Sequence, residues 1–271
     1  MRLLCEPAGV MGLTISLGTI GVAVAAPALA PYSPIQQFPG NELAPPSVRF
    51  PLGTDSVARD ILSRIIFGTR VSLLVGMVAV ILGAVVGGGT GLLAGHARGP
   101  FDAVVTRVWD AVFAVPGILL GIALAAAFRP SMMVVAVALG ITNMPTFARL
   151  ARAGVLGERN KEYVLAAHTL GASRARVLGR HILPNILGPL IVQLALAMAS
   201  AVVLEAGLSF LGLGTQPPEP SWGSMLAESR QYLRQAPWYG LFPGIALTVL
   251  VAGLNFFADG LRDALDPRLM R

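Results

Sequence analysis

Lysine, cysteine and histidine are nearly missing from this chain of 271 residues. Lys161 is the single lysine, Cys5 the single cysteine, and His96, His168 and His181 are the three histidines. One cysteine excludes an intramolecular disulfide framework and a cysteine-based zinc site. A P-loop needs a glycine-rich turn ending in Gly-Lys-Ser/Thr, because its lysine reaches the phosphates. Lys161 lies between Asn160 and Glu162, so the chain has no P-loop and any ATP hydrolysis belongs to another chain. There is also no His-Glu-x-x-His pair, no Gly-x-Ser-x-Gly elbow and no pair of membrane carboxylates. Metalloprotease, serine-hydrolase and intramembrane aspartyl-protease chemistry are therefore disfavoured. No catalytic residue, metal ligand or cofactor site is assigned to the chain. Charge is scarce as well. Charged residues make up 13% of the chain against about 25% in soluble domains, and 55% is hydrophobic. The composition excludes a soluble enzyme, a disordered tail and a nucleic-acid module, and it points to an all-α integral membrane protein.

What is present in abundance is long apolar runs. A spanning helix needs about 20 apolar residues, and six stretches qualify: Val10–Ala30, Val71–Gly95, Val108–Phe128, Ser131–Ala148, Ile186–Leu204 and Trp238–Ala258. The runs are continuous and do not alternate, which excludes a strand barrel. The net charge of +6 comes from arginines between the runs. With the N-terminus placed inside, most basic residues fall in inner segments. Residues 149–180 alone hold Arg149, Arg152, Arg159, Lys161, Arg174, Arg176 and Arg180. The positive-inside rule then puts both termini in the cytoplasm. The first run also reads as a cleavable signal peptide, with Arg2, an apolar core and the small-residue ending Ala28-Leu29-Ala30. Cleavage would leave five spans.

Three connecting or packing features carry more than a connector needs. In the outer segment, Thr54 is expected to cap a helix from Asp55 to Phe67, with Asp55/Arg59 and Asp60/Arg64 as i,i+4 pairs. It reads as an interfacial amphipathic helix, either a solvated connector or part of a gate. The second run carries Gly83, Gly87, Gly91 and Gly95 at four-residue spacing, a stripe that admits close approach of another helix. Tight packing and a moving, pore-lining face both fit that stripe. The inner segment 151–185 reads as two short helices. One runs through Glu162-Tyr163-Val164-Leu165-Ala166-Ala167; the second, Ser173–Ile182, stops at Pro184, which cannot continue a helix. Gly171 between them sits where a left-handed cap is needed. The result is a knob built for docking. A DNA-binding helix-turn-helix would be out of place between two spans, so no nucleic-acid partner is expected.

The knob also carries a signature. Ala166-Ala167, Gly171 and Leu183-Pro184 resemble the EAA loop of ATP-binding-cassette (ABC) importer permeases. The stretches Pro51–Asp55, Arg59–Arg64, Arg180–Asn185, Leu208–Gly214, Gln216–Pro218, Pro220–Gly223 and Asp259–Arg268 are similar to the dipeptide/oligopeptide/nickel branch, in its second permease subunit. Leu165 stands where the EAA glutamate is often found, His181 where the general ABC pattern has isoleucine, and Ala58 where a glycine is common. Glu162, three residues before Leu165, lies on nearly the same helix face. The N-terminal cytoplasmic stretch is short.

The resemblance implies a type I ABC importer permease fold with six transmembrane helices, in the inner membrane of a prokaryote. It divides the chain into a first span plus outer loop (1–68), a five-helix core (69–260) with the coupling loop 151–185, and a cytoplasmic tail (261–271). It implies a non-enzymatic, pore-forming subunit for peptides or a similar small solute. The partners are a second homologous permease, two ATPase subunits carrying ATP and Mg2+, an extracytoplasmic solute-binding protein and the lipid bilayer. Glu162, Ala166, Ala167, Gly171, Ala172, Ser173, Leu183 and Pro184 are the expected ATPase-coupling residues. Glu205, at the outer end of a span, and Ser209 are gate candidates. The Glu205 carboxylate faces the pore or the partner permease, or else pairs with an outer-loop arginine. Asn143, Gln193 and Asn255 are polar residues inside spans that fit pore lining and helix–helix hydrogen bonding equally. A secondary transporter or channel without an ATPase is the alternative. It needs an ion-coupling carboxylate near mid-membrane, and Glu205 lies close to an end. An assembly or receptor protein without a pore leaves the structured knob unexplained.

Overall fold

The computed structural model describes residues 6–97 and 99–265. Arg2, Cys5, Arg98, Arg268, Arg271 and the end of the C-terminal motif at Asp266 and Pro267 lie outside the described residues. Apart from two isolated β-bridges, Gln37 with Arg59 and Thr54 with Asp60, the regular structure described is helical. Helix α1 is Pro7–Val24, followed by the short α2, Ala26–Leu29. After the outer segment, α3 (Ile61–Leu82) passes through a π-helical stretch (Gly83–Gly88) into α4 (Gly89–Ala97). Helices α5 (Gly99–Phe113) and α6 (Gly117–Ala127) form a bent pair, and α7 is Met132–Glu158. The knob holds α8 (Glu162–Thr169) and α9 (Arg174–Arg176). A second π-helical stretch, Val177–Ile182, leads into α10, Leu183–Phe210. Helices α11 (Trp222–Ser229) and α12 (Pro237–Leu265) complete the chain.

Five helical stretches are long and apolar enough to cross a membrane, and the bent pair α5–α6 makes a sixth if taken as one span. Two of them, Ile61–Ala97 and Arg174–Phe210, run 37 residues. At 1.5 Å per residue each is about 55 Å long, well beyond the roughly 30 Å hydrocarbon layer. Their ends therefore stand out of the membrane and carry the polar structure at both faces.

Four expectations change here. No helix begins at Thr54. Its hydroxyl is taken up by the chain, donating to the Asn41 carbonyl and accepting from Ala44 N. Asp60 is the N-cap instead, accepting from Ser63 N at 2.8 Å, and the helix it starts is the second span itself. That helix crosses position 68/69 without a break. The third run is not straight: α5 and α6 meet at 85° across Ala114, Val115 and Pro116. Proline lacks a donor and pushes its predecessor out of helical conformation, which breaks the run there. The fourth run extends ten residues past Ala148, so the first part of the expected knob is the end of α7. Pro184 does not stop a helix. The π-helical stretch before it widens the turn, and the proline sits in the first turn of α10, where its missing N–H is tolerated.

Small residues set the packing. Gly12 lies against the backbone of Phe256 and Phe257, and Gly253 against Ile15, so α1 lies directly on α12. The glycine stripe faces α7: Gly83 meets Asn143 and Phe147, Gly87 the backbone of Met144, Gly91 that of Ala148, and Gly95 the Val155 side chain. Pro145 of α7 lies beside Met144 in that contact. Without a hydrophobic driving force between helices in lipid, such close backbone approach supplies the association. The central core joins Val75, Ala79, Val135, Leu139, Ala201 and Leu208 from α3, α7 and α10.

Candidate functional site

The knob is a mounted structure. Glu162 occupies the first turn of α8, where a carboxylate complements the helix dipole. The helix closes with a Schellman motif: Gly171 N donates to His168 O and Ala172 N to Ala167 O, both at 3.0 Å. Gly171 takes φ +80°, the left-handed conformation its position requires. Ser173 then caps α9, its hydroxyl accepting from Arg176 N. Val164 and Ala167 of α8 are buried against Val155 of α7, Val177 and Ile182 of the π-helical stretch and Ile186 of α10. Ala172 and Leu183 pack against that cluster.

A polar strap reinforces it. The Tyr163 hydroxyl donates to Glu158 at 2.5 Å and accepts from Asn185 Nδ2 at 3.2 Å. Glu158 also holds Lys161 at 2.6 Å, and Asn185 donates to the His181 carbonyl. Burial, aided by the Glu158 carboxylate, pushes the Tyr163 phenol up to about 12. It stays protonated and keeps donating. Glu162, Ala166, Gly171, Ser173 and Pro184 remain exposed. So do two large apolar side chains, Leu165 at 53% and Leu170 at 88%. Leu165, which takes the place of the EAA glutamate, thus presents an apolar face beside Glu162.

The opposite end holds a buried charge network. Arg59 Nε lies 2.6 Å from Asp55 Oδ2, and its Nη2 3.0 Å from Glu228 Oε2. Arg64 lies 3.5 Å from Asp55 and 3.6 Å from Glu228. The Tyr239 hydroxyl donates to the same Glu228 oxygen at 2.5 Å. The expected Asp55/Arg59 pair is present but in a turn. The Asp60/Arg64 pair is not, because Asp60 is occupied by the Ser63 hydroxyl at 2.6 Å and its backbone N–H. Burial raises the Asp60 carboxyl above its ordinary value, against the pull of the two Ser63 hydrogen bonds. Glu228 and Tyr239 were not singled out from sequence. They lie 173 and 184 residues from Asp55, and only their charge or hydroxyl hints at a role.

The gate candidates are elsewhere than expected. Glu205 is 1% exposed. It accepts from Ser209 Oγ at 2.7 Å and Ser72 Oγ at 3.2 Å. Its partners are hydroxyls of its own bundle, neither an arginine nor an open surface. Ser209 is buried beneath α11, where Gly223 presses on Ala206 and Ser209. Asn143 donates to Leu139 O within α7 and faces Gly83. Asn255 is exposed and donates to Val251 O, while Gln193 is half-buried. The structure does not bring these polar residues together. On α5, Asp102 holds Arg152 through two hydrogen bonds at 2.6 and 2.7 Å, and Asp110 holds Arg149 at 2.8 Å, so that α5 is clamped to α7. No group of three or more metal-ligating side chains occurs among the described residues.

Over residues 87–271 the chain matches the family described as binding-protein-dependent transport system inner membrane component. It is 43% identical over 260 residues to the dipeptide transport system permease protein DppC of Alkalihalophilus pseudofirmus, spanning 96% of this chain and 86% of that relative. It is 44% identical over 266 residues to the dipeptide transport system permease protein DppC of Escherichia coli, spanning 96% and 89%. Its helices follow those of a chain of the inward-facing MetNI methionine ABC transporter with a TM-score of 0.65 at 17% identity, over 76% of this chain and 98% of that one. That likeness speaks to the fold, which is that of a type I ABC importer permease. A knob mounted between two long helices, a bundle packed through glycines and these relatives lead to one conclusion: the chain belongs to the family of binding-protein-dependent transport system inner membrane components, the permeases of ABC importers.

Proposed function

We propose that this chain lines half of a pore for dipeptides or similarly small peptides, and that the knob couples it to separate ATPase subunits. The peptide reading rests on identity above 40% to two permeases named for dipeptide transport, across nearly the whole chain. The coupling reading rests on one observation: a rigidly mounted knob leaves Leu165 and Leu170 exposed around its turn. Apolar side chains held in water at a polar protein end are what a partner surface covers. Glu162, Ala166, Gly171 and Ser173 border that tip. Ala167, Ala172 and Leu183 hold it to the bundle, and Pro184 continues it into α10. The ATPases, with their ATP and Mg2+, dock there on the cytoplasmic side. Both termini are then cytoplasmic, the Asp55–Glu228 network faces the solute-binding protein, and a second permease completes the pore. Of the polar span residues, Gln193 fits pore lining best, being half-buried with no hydrogen-bond partner among the described residues. Glu205 serves internal packing.

The test is uptake of a labelled dipeptide by the reconstituted importer. Leu170→Glu and Gly171→Trp should each lower uptake by about tenfold or more, the loss that follows from an interface residue worth about 2 kcal/mol. The chain should remain in the membrane at normal level. Wild-type uptake by both variants would remove the knob from coupling. No dipeptide uptake by the unaltered importer would overturn the peptide reading.

A further inference from the structure

At the end away from the knob lies a cavity of about 450 Å3 that neither the coupling reading nor the family match assigns. Its walls include Arg70 and Leu74 of α3, Ser131 and Met132 at the start of α7, and Thr215 and Glu219 between α10 and α11. The volume falls within the roughly 300–1,000 Å3 typical of small-molecule sites. One cation and one anion face this space, and neither enters an ion pair among the described residues. The Arg70 guanidinium lies over the Phe67 ring, 5.9 Å from its centroid. Of the other charged groups at this end, Asp55, Arg59, Arg64 and Glu228 are tied up with one another, and Arg129, two residues before Ser131, is exposed. Thr215 Oγ1 is buried without a hydrogen-bond partner among the described residues. Ser131 accepts from Val134 N as the cap of α7, which leaves its own proton to donate and places a helix N-terminus at the wall. Leu74 and Met132 add an apolar side, the methionine being adaptable in shape.

We propose that this cavity is a subsite for a zwitterionic peptide in transit. The terminal carboxylate sits on Arg70 and the start of α7, the terminal ammonium on Glu219. Thr215 bonds the peptide unit, and side chains rest on Leu74 and Met132. Arg70 and Glu219 are exposed and enter no ion pair among the described residues, so each is free to take a ligand group of opposite sign beside the apolar wall. A simple anion or cation would satisfy only one. The inference deepens the peptide reading and rests on it.

The complete importer in lipid nanodiscs is irradiated with a dipeptide carrying a diazirine side chain, and adducts on this chain are mapped by mass. Adducts are expected at Leu74, Met132 or Thr215. Free alanyl-alanine should compete, and N-acetyl-alanyl-alanine amide, which carries neither charge, should not. Arg70→Gln and Glu219→Gln should each cut the adduct about tenfold, the effect of one charge-assisted hydrogen bond, with the second permease still co-purifying. Adducts that are absent, or indifferent to both substitutions, overturn the proposal. So does equal competition by the blocked peptide. Loss of the second permease from either variant also overturns it, by making the cavity a subunit contact. Dipeptide uptake by the unaltered importer, measured alongside, separates failure of this subsite from failure of the peptide reading.

Discussion

Ala58, like Leu43 at φ +52°, is a non-glycine residue held in the left-handed region. It is fully buried and holds φ +61°, while its carbonyl accepts from Phe38 N and its N–H donates to Asp55 O. Those hydrogen bonds keep the turn in place although a Cβ in the left-handed region costs about 1–2 kcal/mol. That angle gives a direct reason for the glycine that the resemblance leads one to expect here. Ala58→Gly should relieve the strain and return roughly 0.4–1 kcal/mol through a freer unfolded chain. The expected net effect is a stabilisation of about 1 kcal/mol or less, seen as a higher midpoint in detergent thermal unfolding. A lower midpoint would mean that the methyl packs better than the turn is strained. Gly171 is the converse case. Its need for a left-handed residue was legible, because a short helix on each side leaves the turn no other conformation. Glu205 was legible only as a charge in a span. That Ser72, 133 residues away, would donate to it depends on how α3 crosses α10.

Helices α3 and α4 associate with α7 through contacts that admit no side chain. A Cβ at Gly87 or Gly91 would enter the backbone of Met144 or Ala148, whereas at Gly89 nothing lies within 4 Å. Gly87→Leu and Gly91→Leu should abolish a monodisperse peak in size-exclusion chromatography of a fluorescent fusion. Gly89→Ala should leave the peak unchanged or raise its thermal midpoint, since alanine is favoured over glycine in a helix by about 0.5–1 kcal/mol. Equal tolerance at all three positions would show that α3 and α7 can separate. Helix α1 meets α12 in the same way. Gly12→Leu should therefore detach it and lower the midpoint, without touching the core of α3, α7 and α10. The four-residue glycine spacing announced a close contact but not its partner. A period marks a face, and only the fold says which helix covers it.

Across the whole molecule, the two ends are built differently. The knob is closed by local motifs, a Schellman turn and a serine cap, over a small apolar cluster. The far end is held by charges from distant parts of the chain. Asp55→Asn would leave Arg64 buried beside a weakened partner. Removing one member of a buried ion pair costs about 3–5 kcal/mol, so residues 31–60 should become cleavable by protease at rates well above wild type. Unchanged cleavage would show that the aromatic contacts of Tyr32, Phe38 and Phe50 suffice to hold this segment. The sequence by itself determined the apolar runs and the left-handed turn at Gly171, because each follows from properties of a few adjacent residues. The passage of α10 through Pro184 and the burial of Glu205 were decided only by tertiary structure. So was the meeting of Arg59 with Glu228. Each of these is settled by a neighbour far along the chain, or by a widened helical turn whose cost the surrounding packing offsets, and no local pattern encodes either.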